Sequence, residues 1–130
     1  MSSRGKLLVG FAAISLLAAT LLGAYASHGM RAAPAETVDA VRTAVAFQFY
    51  HGLALLAVPL LSAHLARRWA AAAGWLFVAG TLLFCGGIYA SYLLGVSGAS
   101  RVAPIGGISF AAGWAAVAIA ALIPASRRAS

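Results

Sequence analysis

The sequence predicts an all-α integral membrane protein, an antiparallel four-helix bundle. Three observations predict it. Only 8% of the 130 residues are charged and 63% are hydrophobic. About a quarter of a soluble domain is charged, so this chain is too poor in charge to clothe itself against water. It contains four apolar runs of spanning length, about 7–26, 44–65, 70–94 and 104–125. Roughly 20 residues rising 1.5 Å each cross a hydrocarbon core of about 30 Å. The connections between the runs are short, which makes neighbouring helices antiparallel. The whole chain reads as one transmembrane domain, with no internal repeat.

The first run follows a short basic lead with Arg4 and Lys6. Its end, Ala24-Tyr25-Ala26 before Ser27, has the small-x-small form of a signal-peptide cleavage site. The run is long for a signal peptide, and a retained helix is the expectation. Ser27 to Thr43 is the one mixed-charge segment, with Arg31, Glu36, Asp39 and Arg42. Pro34 and the two acids suit a helix start near Ala35. Val38, Val41, Val45 and Phe49 recur at helical spacing, so an amphipathic turn or two should lead into the membrane near Ala44.

The second run carries Pro59 well inside it, where the missing N–H should kink the helix. Arg67 and Arg68 mark a tight turn, and Trp69 and Trp75 suit an interfacial belt. Gly95 to Val102 reads as a Gly/Ser-rich loop. The fourth run starts at Pro104 and contains Trp114.

A net charge of +7 raises the question of nucleic acid. The basic residues stand in ones and twos between apolar runs, with no patch for a phosphate backbone, and nucleic acid is excluded as a partner. Bilayer lipid is the expected partner. Arg4, Lys6, Arg67, Arg68, Arg127 and Arg128 fall on one side, against Arg31, Arg42 and Arg101 on the other. That excess places both termini in the cytoplasm. The lone Cys85 excludes an internal disulfide and any Cys-pair metal motif.

Helix pairing in lipid relies on small residues that let backbones approach. Ala19, Gly23 and Ser27 form one four-residue row, Gly87, Ser91 and Gly95 a second, and Ser109 and Gly113 a third. Gly106 and Gly107 add a close-packing point after Pro104; the same turn can be read as an anion nest, but a helix start is the commoner cause.

The candidate chemistry lies in the second run. Gln48 and His51 are costly at membrane depth and must face protein or a wet cavity. By topology His28, Gln48, His51 and Tyr89 fall in the outer half, which predicts one shared polar cluster centred on His51. Two readings of His51 stay open. It is a clamp whose donor and acceptor are satisfied by neighbouring helices, or it is a ligand- or proton-linked group. His64 lies near the inner interface and snorkels. The ligand set is too thin for a metal, and haem on His28 and His51 is only geometrically conceivable. No Ser-His-acid set exists at depth, so no enzyme and no cofactor are expected.

Gly23-Ala24-Tyr25-Ala26-Ser27-His28-Gly29, Tyr50-His51-Gly52-Leu53-Ala54-Leu55, Phe84-Cys85-Gly86-Gly87-Ile88-Tyr89 and Pro104-Ile105-Gly106-Gly107, followed by Gly113-Trp114, stand in order along nearly the whole chain. Together they resemble the YgdD-type family of small inner-membrane proteins of unknown function, which has mitochondrial relatives. The resemblance implies His28, His51, Tyr89 and the 104–107 turn as shared positions. The chain departs from the family at Cys85-Gly86, where a serine and a small residue are usual, and at Ala103, where a threonine is typical. The resemblance implies the fold and no mechanism. The expected role is a structural or accessory component of a membrane complex. The alternatives are a binder of quinone, haem or lipid in the His/Tyr cluster, or a small oligomeric transporter.

Overall fold

A computed structural model describes residues 1–125 of the chain. Four helices in it are long and apolar enough to cross a membrane: α1 (Ser3–His28), α2 (Ala35–Leu61), α3 (Arg67–Tyr92) and α4 (Ala103–Leu122). A 3₁₀ turn, Ala99–Val102, extends α4 at its start. A helix is the form these runs must take in lipid, because it satisfies every interior backbone group within its own segment. The expected Arg127 and Arg128 lie outside the described residues.

Local chemistry sets the helix ends. The Ser2 hydroxyl accepts from the Gly5 N–H at 3.0 Å and caps α1. Pro34 is the N-cap of α2, with Glu36 in the first turn. The second helix stops at Leu61, four residues earlier than the apolar run suggests. There the Ser62 hydroxyl donates to the Pro59 carbonyl at 2.8 Å and the His64 N–H to the Leu61 carbonyl at 2.9 Å. Pro59 therefore sits in the last turn, where its missing N–H takes the helical donor from the Leu55 carbonyl.

The third helix ends at Tyr92, two residues before the expected Leu94. Gly95 takes a φ of +67°, and the Val96 N–H reaches back to the Ala90 carbonyl at 3.0 Å. That left-handed turn needs glycine.

The helices form two tight antiparallel hairpins. In the first, α1 lies along α2: Gly23 approaches Val45, and Leu16 lies over Gly52. Buried residues of α1 recur at 5, 8, 12, 15, 19 and 26, the three-four spacing of a coiled-coil seam. In the second, α3 and α4 interlock through rings and glycines. Phe77 fills the space over Gly113, Phe110 that over Gly80, and the Phe84 backbone that over Gly106. One residue up α3 matches one residue down α4, and a large group faces a glycine at each step.

The two hairpins join where α2 packs on α3. The loop after α2 is tied to α4 as well, with the Ala66 N–H donating to the Ala120 carbonyl at 3.1 Å. Met1 and Ala125, the first and last described residues, line one common cavity and so lie at the same end of the bundle.

The third helix is not regular throughout. Thr81–Cys85 is a π turn, in which the Gly86 N–H reaches the Thr81 carbonyl. The extra residue turns the Cys85 thiol onto α2, where it donates to the Ala44 carbonyl at 3.3 Å. It also sets Gly87 against the 3₁₀ turn, where a Cβ would stand 2.9 Å from Val102 Cγ2 and 3.0 Å from the Ala99 carbonyl. The glycines differ in consequence: Gly107 leaves 3.9 Å to the Phe84 ring, and Ser91 is half-buried.

These contacts rank the glycines. Gly106→Ala would drive a methyl into the Phe84 backbone, and we expect a loss of about 1–3 kcal/mol. Gly10 faces open space, so Gly10→Ala should leave stability unchanged or raise it by up to about 1 kcal/mol. Thermal unfolding of both variants in detergent, followed by circular dichroism at 222 nm, checks the order.

Candidate functional site

The buried polar groups lie at the middle of the bundle. Ser15 is at mid-length of α1 and Gln48 at mid-length of α2. The Gln48 amide nitrogen donates to the Ser15 carbonyl at 2.9 Å and to the Ser15 hydroxyl at 3.1 Å. Its amide oxygen accepts from the Tyr89 hydroxyl at 2.7 Å. One side chain thus ties α1, α2 and α3. The side chains of Gln48 and Tyr89 both lean toward the N-terminus of their own helices. Those N-termini are at opposite ends of the bundle, so the two groups reach toward each other.

His51 lies one turn further along α2 and is 3% exposed. Its Nε2 is 3.0 Å from the Trp114 indole nitrogen. An indole N–H only donates, so Nε2 must be the acceptor. Nδ1 then carries the proton and donates to the Phe47 carbonyl at 2.7 Å. The ring is neutral, in the Nδ1–H tautomer, with both nitrogens engaged. Its face stacks on Phe110 with centroids 3.6 Å apart and planes 12° apart. Phe47, Phe77, Phe84 and Trp114 extend the ring layer around it. These rings fill the space between α2 and α4, beside the direct packing of α2 on α3.

The sequence-based cluster is corrected in two respects. His28 does not join it: it is exposed in the last turn of α1. Ser15, the α1 residue that Gln48 contacts, is thirteen residues away along the same helix, about 20 Å. Gln48 sits at mid-length of α2, which begins at Ala35 as expected. The first turns of α2 already pack beside α1, with Val41 and Val45 buried against Ala26 and Met30. His51 lies about 24 Å along the helix from its start. Gln48 and Tyr89 do meet, but Tyr89 bonds to Gln48 and His51 bonds elsewhere.

Sequence reasoning missed Ser15, Trp114 and the phenylalanine layer. A signal was available for Trp114. It stands inside a span, away from the interfacial belts, so its indole N–H needs an acceptor at depth. His51 and Gln48 are among the few side chains that can offer one there. Among the described residues no group of three or more His, Cys, Asp or Glu is placed to hold a metal ion. Every buried side-chain nitrogen and oxygen described has a hydrogen-bond partner.

Two measurements check this geometry. In ¹⁵N-resolved NMR the His51 ring should show a protonated Nδ1 and a bare Nε2. Tyr89→Phe removes the one donor to the Gln48 oxygen, and we expect it to lower unfolding stability by about 0.5–1.5 kcal/mol.

Residues 22–107 match the family model described as "Protein of unknown function (DUF423)". Among curated proteins, the chain is 32% identical over 119 residues to the UPF0382 membrane protein YwdK of Bacillus subtilis, covering 90% of this chain and 97% of that one. It is 32% identical over 123 residues to the UPF0382 inner membrane protein YgdD of Escherichia coli, covering 94% and 92%. A UPF0382 membrane protein of Staphylococcus aureus, SAB0533, is 33% identical over 118 residues, covering 88% and 94%. No solved structure matches the chain. With a family model across most of its length and relatives aligned nearly end to end, this chain belongs to the DUF423 family of UPF0382 membrane proteins.

Proposed function

We propose that this protein is a non-enzymatic accessory component of the bacterial inner membrane, a compact scaffold that docks its outward faces on a larger membrane complex. One observation carries this reading. The buried histidine has both ring nitrogens bonded to the protein itself and its face covered by Phe110. A histidine held this way is a clamp between α2 and α4. Ligation of haem would need the Nε2 lone pair that the Trp114 N–H occupies. A quinone or lipid chain would need the space that the phenylalanine rings fill. With the interior consumed by its own contacts, recognition falls to the outward faces.

Both termini face the cytoplasm in this reading. Arg4, Lys6, Arg67 and Arg68 gather at the end of the bundle that holds Met1, and Arg127 and Arg128 follow α4 in sequence. The opposite end has Arg31, Arg42 and Arg101, diluted by Glu36 and Asp39. The inner-membrane name of the Escherichia coli relative supports the location.

Native mass spectrometry of the protein taken from its own membrane in mild detergent tests the role. The expected result is a stoichiometric complex with a second polypeptide; a lone monomer in every mild detergent overturns it. A Soret band in the purified protein that vanishes in His51→Ala would replace the scaffold with a haem site. A C-terminal alkaline phosphatase fusion should be inactive and a C-terminal green fluorescent fusion bright.

A further inference from the structure

We propose that the groove at the Met1 end of the bundle is a binding site for the headgroup and upper acyl chain of an anionic phospholipid. The groove is a cavity of about 810 Å³ between α1, the end of α2 and the start of α3. Its rim holds Arg4, Arg67 and Arg68, and its floor includes Leu8, Val58 and Trp75. Three features converge there. The three arginines are exposed, and the only two acidic side chains of the chain, Glu36 and Asp39, lie at the opposite end. Two helices begin there, α1 at Ser3 and α3 at Arg67, and helix N-termini favour anions. The third helix starts from Ala66, with no side chain capping its first N–H groups. Below the charged rim the lining turns apolar, which suits the change from phosphate to hydrocarbon at this depth of a bilayer. A soluble phosphate would use the rim and leave the floor empty; a neutral lipid would use the floor and leave the arginines without an anion. A diacyl phospholipid with net negative charge uses both. This inference concerns a surface remote from His51 and does not depend on the accessory role.

The test uses the full chain, delipidated in neutral detergent and exposed to equal amounts of phosphatidylglycerol and phosphatidylcholine with the same acyl chains. Native mass spectrometry counts the lipid retained. The expected result is about tenfold greater retention of phosphatidylglycerol. Each charge removed by Arg67→Gln or Arg68→Gln should lower that retention about fivefold, the effect of about 1 kcal/mol per basic residue near an anionic surface. Ala71→Trp fills the groove with its charges intact and should also lower retention, while helix content by circular dichroism stays unchanged. Arg31→Gln with Arg42→Gln, at the other end, should change nothing. Equal retention of the two lipids overturns the proposal. So does full retention in Ala71→Trp, which would mean simple surface charge. Displacement by excess glycerol 3-phosphate would mean a free-phosphate site, and a polypeptide found cross-linked at position 71 would mean a protein partner; either result also overturns it.

Discussion

A primary amide cannot be left unpaired in the middle of a bilayer, and the bundle depends on how that constraint is met at Gln48. Burying such a group in hydrocarbon without partners costs several kcal/mol. Each hydrogen bond between membrane helices contributes only about 0.6 kcal/mol on average. The network therefore adds little affinity between helices but strongly penalises every alternative docking. A slip of one residue between α1 and α2 would separate Gln48 from both Ser15 atoms. A slip of α3 would remove the Tyr89 hydroxyl. The amide acts as a register pin for three helices at once.

The second determinant is shape. The α3–α4 hairpin is assembled by rings entering the spaces that Gly80, Gly106 and Gly113 leave open. Dispersion contacts of this kind drive helix pairing in lipid, where apolarity alone offers no preference. The first hairpin uses the smaller residues of the α1 seam, Ala12, Ser15 and Ala19. Between the hairpins α2 packs directly on α3, while α2 and α4 stand farther apart and the His51–Phe110 stack with its neighbouring rings fills that gap. The indole-to-imidazole bond of Trp114 and His51 locks that layer across it.

Much of this was legible in the chain. Charge poverty and four apolar runs decide the class, since only one environment accepts such a composition. Gln48 and His51 stand out because hydrocarbon makes their placement expensive. The glycines at 106 and 113 announce close packing, but nothing local says which ring fills which space. That depends on the register between α3 and α4, a property of two helices together. Residue 28 misled for a related reason. Topology puts it on the same side as the start of α2, yet the extra turns before Ala44 carry His51 far below it. Ser15 was invisible because a lone serine in an apolar run is as readily a helix-compatible small residue as a partner. Only the facing amide distinguishes the two.

A bundle built as two interlocked hairpins has a consequence for where it can change. Within each hairpin a shift would drive side chains into backbone at Gly106 or Gly52. Between them α2 packs on α3, and directional joints fix that packing: Tyr89 to Gln48, Cys85 to the Ala44 carbonyl, Trp114 to His51, and the ring stack. Such bonds break as a set or not at all, because parting one pulls the stacked rings from their neighbours. The interior therefore favours a single arrangement over a range of partly opened ones. A protein with a fixed interior and 810 Å³ of open groove at one end concentrates its capacity for recognition on the surfaces that lipid and other chains meet.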